Sequence, residues 1–300
     1  MRRVTFALCA LLLIAAVAPA FAQMQNTHEH NSPPKVIQIA VEQVKPGRGF
    51  AHEKLEAGWA RAAAQAKYPV GYLGMTSLTG NDEAWFITPY ESFAAWEKVN
   101  KQVEASPAAM NVNMTYAPQD SDNLSGYTSM VAVYRPDLSY RPNVKIAEMR
   151  YFGVNRIRVR PGHERQFEEA RKAQVAAHEK GNVDESIAVF EVASGAASGT
   201  YLLFSPIKSL ESLDTYDERH KPYEAALGEE GQKKLREQFA EAELGSEERV
   251  FAFNPKMSYV DDSFVGSETA FWRPKTSSGG VHNAALKKAE PAAKKEAPKK

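Results

Sequence analysis

The sequence predicts an α+β protein made of two tandem β-α-β-β-α-β units whose antiparallel sheets pack face to face as a pseudo-symmetric barrel. Three observations carry this expectation. The stretch Tyr134-Arg135-Pro136-Asp137-Leu138-Ser139-Tyr140 recurs as Phe253-Asn254-Pro255-Lys256-Met257-Ser258-Tyr259, each time after a short β-like run. Val44-Lys45-Pro46-Gly47 recurs as Val159-Arg160-Pro161-Gly162, with Phe50 and Phe167 a few residues on, and Trp85-Phe86-Ile87-Thr88-Pro89 recurs as Leu202-Leu203-Phe204-Ser205-Pro206. The three offsets are 119, 115 and 117 residues and the order is kept, which is the mark of a duplicated unit.

The first unit spans residues 36–145. Val36 to Val44 alternates apolar and polar residues at the period of a half-buried strand. After Pro46-Gly47 the period becomes helical, with Ala51, Leu55, Gly58 or Trp59, Ala62 and Ala66 as the inward stripe, and Tyr68-Pro69 ends it. Val70 to Leu78, a turn at Gly80-Asn81-Asp82, and Ala84 to Thr88 read as a hairpin. Ser92 caps a second helix with the stripe Phe93, Trp96, Val99 and Val103. Met110 to Gly126, rich in Asn, Asp and Ser, reads as a long loop before the strand Tyr127 to Tyr134.

The second unit spans 146–273. Met149 to Val159 is its first strand, and Gly162 to Lys180 its first helix, facing inward through Phe167, Ala170, Ala173 and Ala177 and closed by Gly181-Asn182. Ser186 to Val192 and Thr200 to Phe204 form the hairpin. Leu210, Leu213, Tyr216 and His220 stand where the first unit has Phe93, Trp96, Val99 and Val103. Tyr223 to Leu244 reads as a charged helix that the first unit lacks, Glu248 to Phe253 as the closing strand, and Phe271-Trp272 as a segment pairing at a sheet edge.

Residues 1–22 read as a signal peptide: Arg2 and Arg3 precede an apolar run from Val4 to Val17, and Ala20-Phe21-Ala22 offers small residues for cleavage. The run is shorter than the roughly 20 residues of a bilayer span, so the expectation is a periplasmic or secreted protein with no stable membrane insertion after cleavage. The chain's one cysteine, Cys9, lies inside that run, which excludes disulfides from the mature protein. Residues 23–35 read as a disordered leader, and residues 274–300, closing on Ala, Lys, Pro and Glu, as a disordered tail too polar to bury a core. Setting Arg2, Arg3 and the Lys-rich tail aside leaves 29 basic against 35 acidic residues. That balance, with no basic patch interleaved with aromatics, excludes nucleic acid as a partner.

The element order, with the Val-x-Pro-Gly strand ends, resembles the dimeric α/β-barrel (ferredoxin-like) superfamily, which includes antibiotic-biosynthesis-type monooxygenases, NIPSNAP-like proteins and haem-binding chlorite-dismutase and dye-peroxidase groups. The resemblance implies a cavity between sheet and helices for an aromatic substrate, often without a cofactor. The aromatic residues available to line such pockets are Trp59, Tyr72, Trp85, Trp96, Tyr201 and Tyr216, although the same spacing serves a plain core. An axial histidine for haem would be His178 or His220.

These two histidines are also the candidate catalytic residues. His220 puts a titratable ring where the first unit has Val103, which marks either a site or a histidine satisfied by Asp217 or Glu224. His178 near a helix C-terminus is explained by the helix dipole. No phosphate loop, serine elbow or HExxH segment is present, and no metal is expected. Three readings follow: a module binding a small apolar or aromatic molecule, a cofactor-free or haem-dependent oxidoreductase, and a structural module self-associating through free sheet edges.

Overall fold

Strand β1 (Val36–Val44) sets the geometry, because its odd-numbered residues Ile37, Ile39 and Val41 point to one side and its even-numbered ones to the other. It pairs antiparallel with β3 (Glu83–Tyr90) and with β4 (Leu124–Tyr134), placing Ile39 against both Ile87 and Met130. β2 (Leu73–Ser77) continues beyond β3. The second half repeats the order: β5 (Tyr151–Val159) lies between β7 (Thr200–Ile207) and β8 (Glu243–Phe253), with β6 (Ala188–Ser194) beyond β7. The structure, a computed structural model, describes residues 31–274; the expected signal peptide, most of the leader and all but the first residue of the tail lie outside the described residues.

The two half-sheets do not stay separate. β2 pairs with β8 and β4 with β6, closing one eight-stranded antiparallel barrel in the order β1-β3-β2-β8-β5-β7-β6-β4. The expected pair of facing sheets is therefore one continuous sheet, and the edges expected to be free for self-association are hydrogen-bonded to each other. Closure satisfies backbone groups that an open edge would leave unpaired. The barrel interior is the main core, filled by side chains such as Ile39, Met75, Leu202 and Phe251, all fully buried. Each contributes about 1.5–3 kcal/mol by leaving water.

Helices cover the outside of the barrel. In the first half these are α1 (Gly49–Gln65), α2 (Phe93–Glu104) and α3 (Pro107–Asp120). In the second half they are α4 (Glu164–Gly181) and α5 (Tyr216–Ala242), which runs past Pro222 and kinks at Gly228. The short α6 (Asp262–Val265) and α7 (Thr269–Trp272) follow. Among the described residues no helix is long and apolar enough to cross a membrane.

Helix α3 replaces most of the expected loop at 110–126. The Ser106 hydroxyl accepts from the Ala109 amide and Pro107 supplies the first helical residue, a start signal that outweighs the Asn-rich composition. It is also the counterpart of the helix thought unique to the second unit. Phe271-Trp272 pairs with no strand; it ends α7, where Trp272, 1% exposed, packs on Phe253 and Phe264 and donates from Nε1 to the Ala147 carbonyl at 2.8 Å.

The repeated Pro-x-[Leu/Met]-Ser-Tyr segments fasten the halves reciprocally. After β4, the Ser139 hydroxyl accepts from the Val189 amide of β6 at 2.9 Å, and the Tyr140 hydroxyl donates to the Val183 carbonyl at 2.9 Å. After β8, the Ser258 hydroxyl accepts from the Gly74 amide of β2 at 2.9 Å, and the Tyr259 hydroxyl donates to the Tyr68 carbonyl at 3.3 Å. Each segment leaves its own half and clasps the other, with Leu138 and Met257 fully buried beneath it. Gly74 must be glycine here: a Cβ would lie 2.7 Å from the Met257 carbonyl oxygen.

Candidate functional site

Among the described residues, the six aromatics expected to line pockets between sheet and helices lie apart, each against its own neighbours. Trp59 packs on Tyr116 at 6.4 Å between centroids, Trp96 on Tyr90 at 6.2 Å, and Tyr72 on Phe86 and Tyr259. Tyr201, fully buried, packs on Phe167 at 4.8 Å, and Tyr216 is an exposed ring stacked on His220. Trp85 points into the barrel, where it contacts Phe251 at 4.9 Å and donates to Glu83. Five of these rings lie on five different elements and Tyr72 just precedes β2; Trp85 and Tyr201 are core, whereas Tyr216 is exposed.

The cavity lies inside one mouth of the barrel. It measures about 200 Å³ and its walls include Ile37, Leu73, Ile87, Phe152, Phe190 and Phe204; Tyr72 alone of the six expected aromatics borders it. The Ser186 hydroxyl, also at the wall, is buried without a hydrogen-bond partner. At the opposite mouth a second space of about 170 Å³ is polar, bordered by Trp85 and by Glu83 and Arg249, which pair at 2.7 Å. The barrel thus has an apolar end and a charged end.

The two expected histidines come together away from that cavity's wall. His178 of α4 and His220 of α5 stand 5.9 Å apart between centroids, and Glu185 bridges them: Oε2 is 3.3 Å from His178 Nε2 and Oε1 is 3.3 Å from His220 Nδ1. The partner is Glu185 rather than Asp217 or Glu224. Burial raises the Glu185 carboxyl, but the hydrogen bond to His178 and the charge of His220 outweigh it and hold the group below its ordinary range. His178 also engages the Gln174 carbonyl through Nδ1 at 2.8 Å, and Tyr223 covers its ring at 4.4 Å. With both ring nitrogens engaged and the face covered, His178 does not fit as an axial haem ligand. His220 meets the Tyr216 hydroxyl through Nε2 at 3.2 Å, while its Nδ1, 3.3 Å from Glu185 Oε1, is buried without a hydrogen-bond partner.

A second polar cluster, which the sequence reading passed over, lies between sheet and helices in the first half. Glu42 of β1, His52 and Glu56 of α1 and Asp120 at the end of α3 each bring a side-chain ligand atom within 4.8 Å of the others. His52 Nε2 is 2.7 Å from Glu42 Oε2 and 3.5 Å from Asp120 Oδ2. His52, Glu56 and Asp120 are 2%, 5% and 4% exposed. Burial and the charges of Glu42 and Asp120 push the Glu56 carboxyl up to about 9, and burial pushes Glu42 up against the hydrogen bond from His52.

The local cause is a helix turned by one residue from the expected stripe. Ala51 is exposed and Leu55 and Trp59 are only half-buried, whereas His52, Glu56, Ala60 and Ala63 are buried. Glu42 is the seventh residue of β1 and Ile157 the seventh of β5; His52 and Phe167 each lie eight residues past the strand end, and Glu56 and Arg171 twelve. Asp120 and Phe239 each precede the final strand's first residue by four. Phe167 therefore matches His52 rather than Phe50, which is 80% exposed.

Scans against protein-family models and the curated proteins find no match. Among solved structures, an anthrone oxidase-like protein superposes with a TM-score of 0.50 at 11% identity, over 73% of this chain and 91% of its own. A candidate monooxygenase of Fusobacterium nucleatum subsp. nucleatum (TM-score 0.48, 12% identity, 74% of this chain and 93% of its own) and a mutant chlorite dismutase of Candidatus Nitrospira defluvii (0.44, 9%, 78% and 97%) are also similar. At such identities the likeness is one of fold, and the fold is the dimeric α/β barrel.

Proposed function

We propose that the protein is an exported binding protein for a small apolar or aromatic molecule, seated in the apolar mouth of the barrel. The observation that carries this reading is the cavity of about 200 Å³ walled by Ile37, Leu73, Ile87, Phe152, Phe190 and Phe204. Such a space favours an apolar occupant through the water it excludes. The unpartnered Ser186 hydroxyl offers that occupant a single hydrogen bond. Few polar groups border the cavity, which favours binding over catalysis there. Export is supported by the N-terminal charged and apolar run. We also read the halves as tandem ferredoxin-like copies, supported by the matching element order and the three recurring landmarks, and the paired Pro-x-[Leu/Met]-Ser-Tyr segments as the trait of a narrower group of exported proteins.

The test is fluorescence titration with N-phenyl-1-naphthylamine, an apolar probe of one polar group. Saturable binding is expected, weakened at least tenfold by Ala188→Phe, which fills the mouth from β6. Absence of saturation, or equal binding by the folded variant, counts against the reading.

A further inference from the structure

We propose that Glu42, His52, Glu56 and Asp120 form a binding site for one divalent transition-metal cation, with His52 Nε2 and the three carboxylates as its ligands. The first argument is geometric. One ligand atom from each of the four lies within 4.8 Å of the rest, and atoms sharing an ion at bonds of about 2.0–2.2 Å stand no more than roughly 4.4 Å apart.

The second argument is what the cluster leaves unmet. Glu56, 5% exposed, makes no hydrogen bond and no ion pair among the described residues, yet its carboxylate is aimed into the group. Asp120 Oδ2 is buried without a hydrogen-bond partner, while its Oδ1 accepts from Asn123 Nδ2 at 3.0 Å. That contact orients the carboxylate as an outer-shell partner orients a ligand. His52 Nε2 faces both Glu42 and Asp120, and a single N–H cannot serve both. Buried polar atoms are rarely left so, and a cation at the centre would satisfy all of them at once.

The third argument is the internal control. The stations of Glu42, His52 and Asp120 are occupied in the other half by Ile157, Phe167 and Phe239, which make an ordinary apolar layer. The fold therefore does not need charge at these three positions, while the station of Glu56 holds the buried Arg171. Three hard oxygen donors with one imidazole suit manganese, iron or zinc rather than a soft thiophilic ion.

The experiment is calorimetric titration of the EDTA-treated full chain with MnCl2 and, separately, ZnCl2, alongside thermal melting with and without the ion. One-to-one binding with a raised melting temperature is expected, weakened at least tenfold by Asp120→Asn and by Glu56→Gln, and unchanged by His220→Ala. The near-isosteric Glu56→Gln keeps the test usable should Asp120→Asn fail to fold. The proposal is overturned by no saturable binding, by binding weakened less than tenfold in the folded variants, or by loss in His220→Ala, which would move the ion to the His178–Glu185–His220 group.

Discussion

Between sheet and helices the second half holds one contiguous apolar layer, in which Phe167 contacts Tyr201 and Phe239 above Ile157, Val159 and Val189. The first half splits the same layer into two small clusters, one around Val36, Val70, Tyr90 and Val131 and one around Ala84, Phe86 and Met257. The polar group of Glu42, His52, Glu56 and Asp120 is a separate part of that layer. The difference teaches where each half is specialised. A buried carboxylate group costs folding free energy that hydrophobic contacts elsewhere must offset, and the apolar layer of the second half supplies such contacts.

The comparison breaks most visibly at Phe167. Its ring is fully buried, and truncation of such a residue costs about 3–5 kcal/mol through lost transfer energy and the cavity left behind. Phe167→Ala should lower the unfolding free energy from urea titration by that amount, through a lower midpoint at an unchanged slope. A loss near zero would mean that the second half's layer is not the stabilising one.

Titration of the metal-free protein sharpens the same contrast. Glu56 is raised to about 9 in the folded state from an ordinary 4.5, so between those values the folded chain holds a proton that the unfolded chain has released. This contribution to stability is complete below about 4.5 and is lost as the pH rises through about 9. In EDTA, the unfolding free energy should fall with pH over that window with a slope approaching one proton, and Glu56→Gln should flatten it. Arg171, at the matching station, lies 2% exposed with its Nε donating to the Leu138 carbonyl at 3.0 Å; burial lowers it only to about 10, so it stays charged across the same window. An unchanged slope in the variant would remove Glu56 as its source.

Much of the architecture was legible because it is periodic. The alternation of Ile37, Ile39 and Val41 marks the barrel face of β1 directly, and the recurring landmarks fix the two halves. Barrel closure was not legible, since nothing within Leu73–Ser77 says that its second neighbour is β8. The polar group was missed for a related reason: counting only apolar residues placed Leu55 and Ala51 on the inner stripe of α1 and skipped His52 and Glu56. Matching by residue type paired Phe50 with Phe167, whereas matching by distance from the strand end pairs His52 with it. His220 was visible because it interrupts an apolar stripe and His178 because it stands near a helix C-terminus; their shared carboxylate, Glu185, lies in a connecting segment that carries no period.

The smallest expected effect concerns the one feature the halves share most closely. Ser139 and Ser258 each accept from a strand amide of the opposite half at 2.9 Å, and each donates within its own segment at 2.8 Å, to the Arg135 and Asn254 carbonyls. Removing either hydroxyl leaves a buried amide, of Val189 or of Gly74, without its partner, at a cost of about 1–3 kcal/mol. Because the two clasps lie at the two seams of a single barrel, Ser139→Ala and Ser258→Ala should cost similar amounts in denaturant titrations. The double variant should cost the sum, as expected for sites without shared partners. If Ser258→Ala were nearly silent while Ser139→Ala cost the full amount, the first half's strand β2 would already be held by Met257 and the Tyr72–Tyr259 pairing alone. The reciprocity of the two fastenings would then be one of form only.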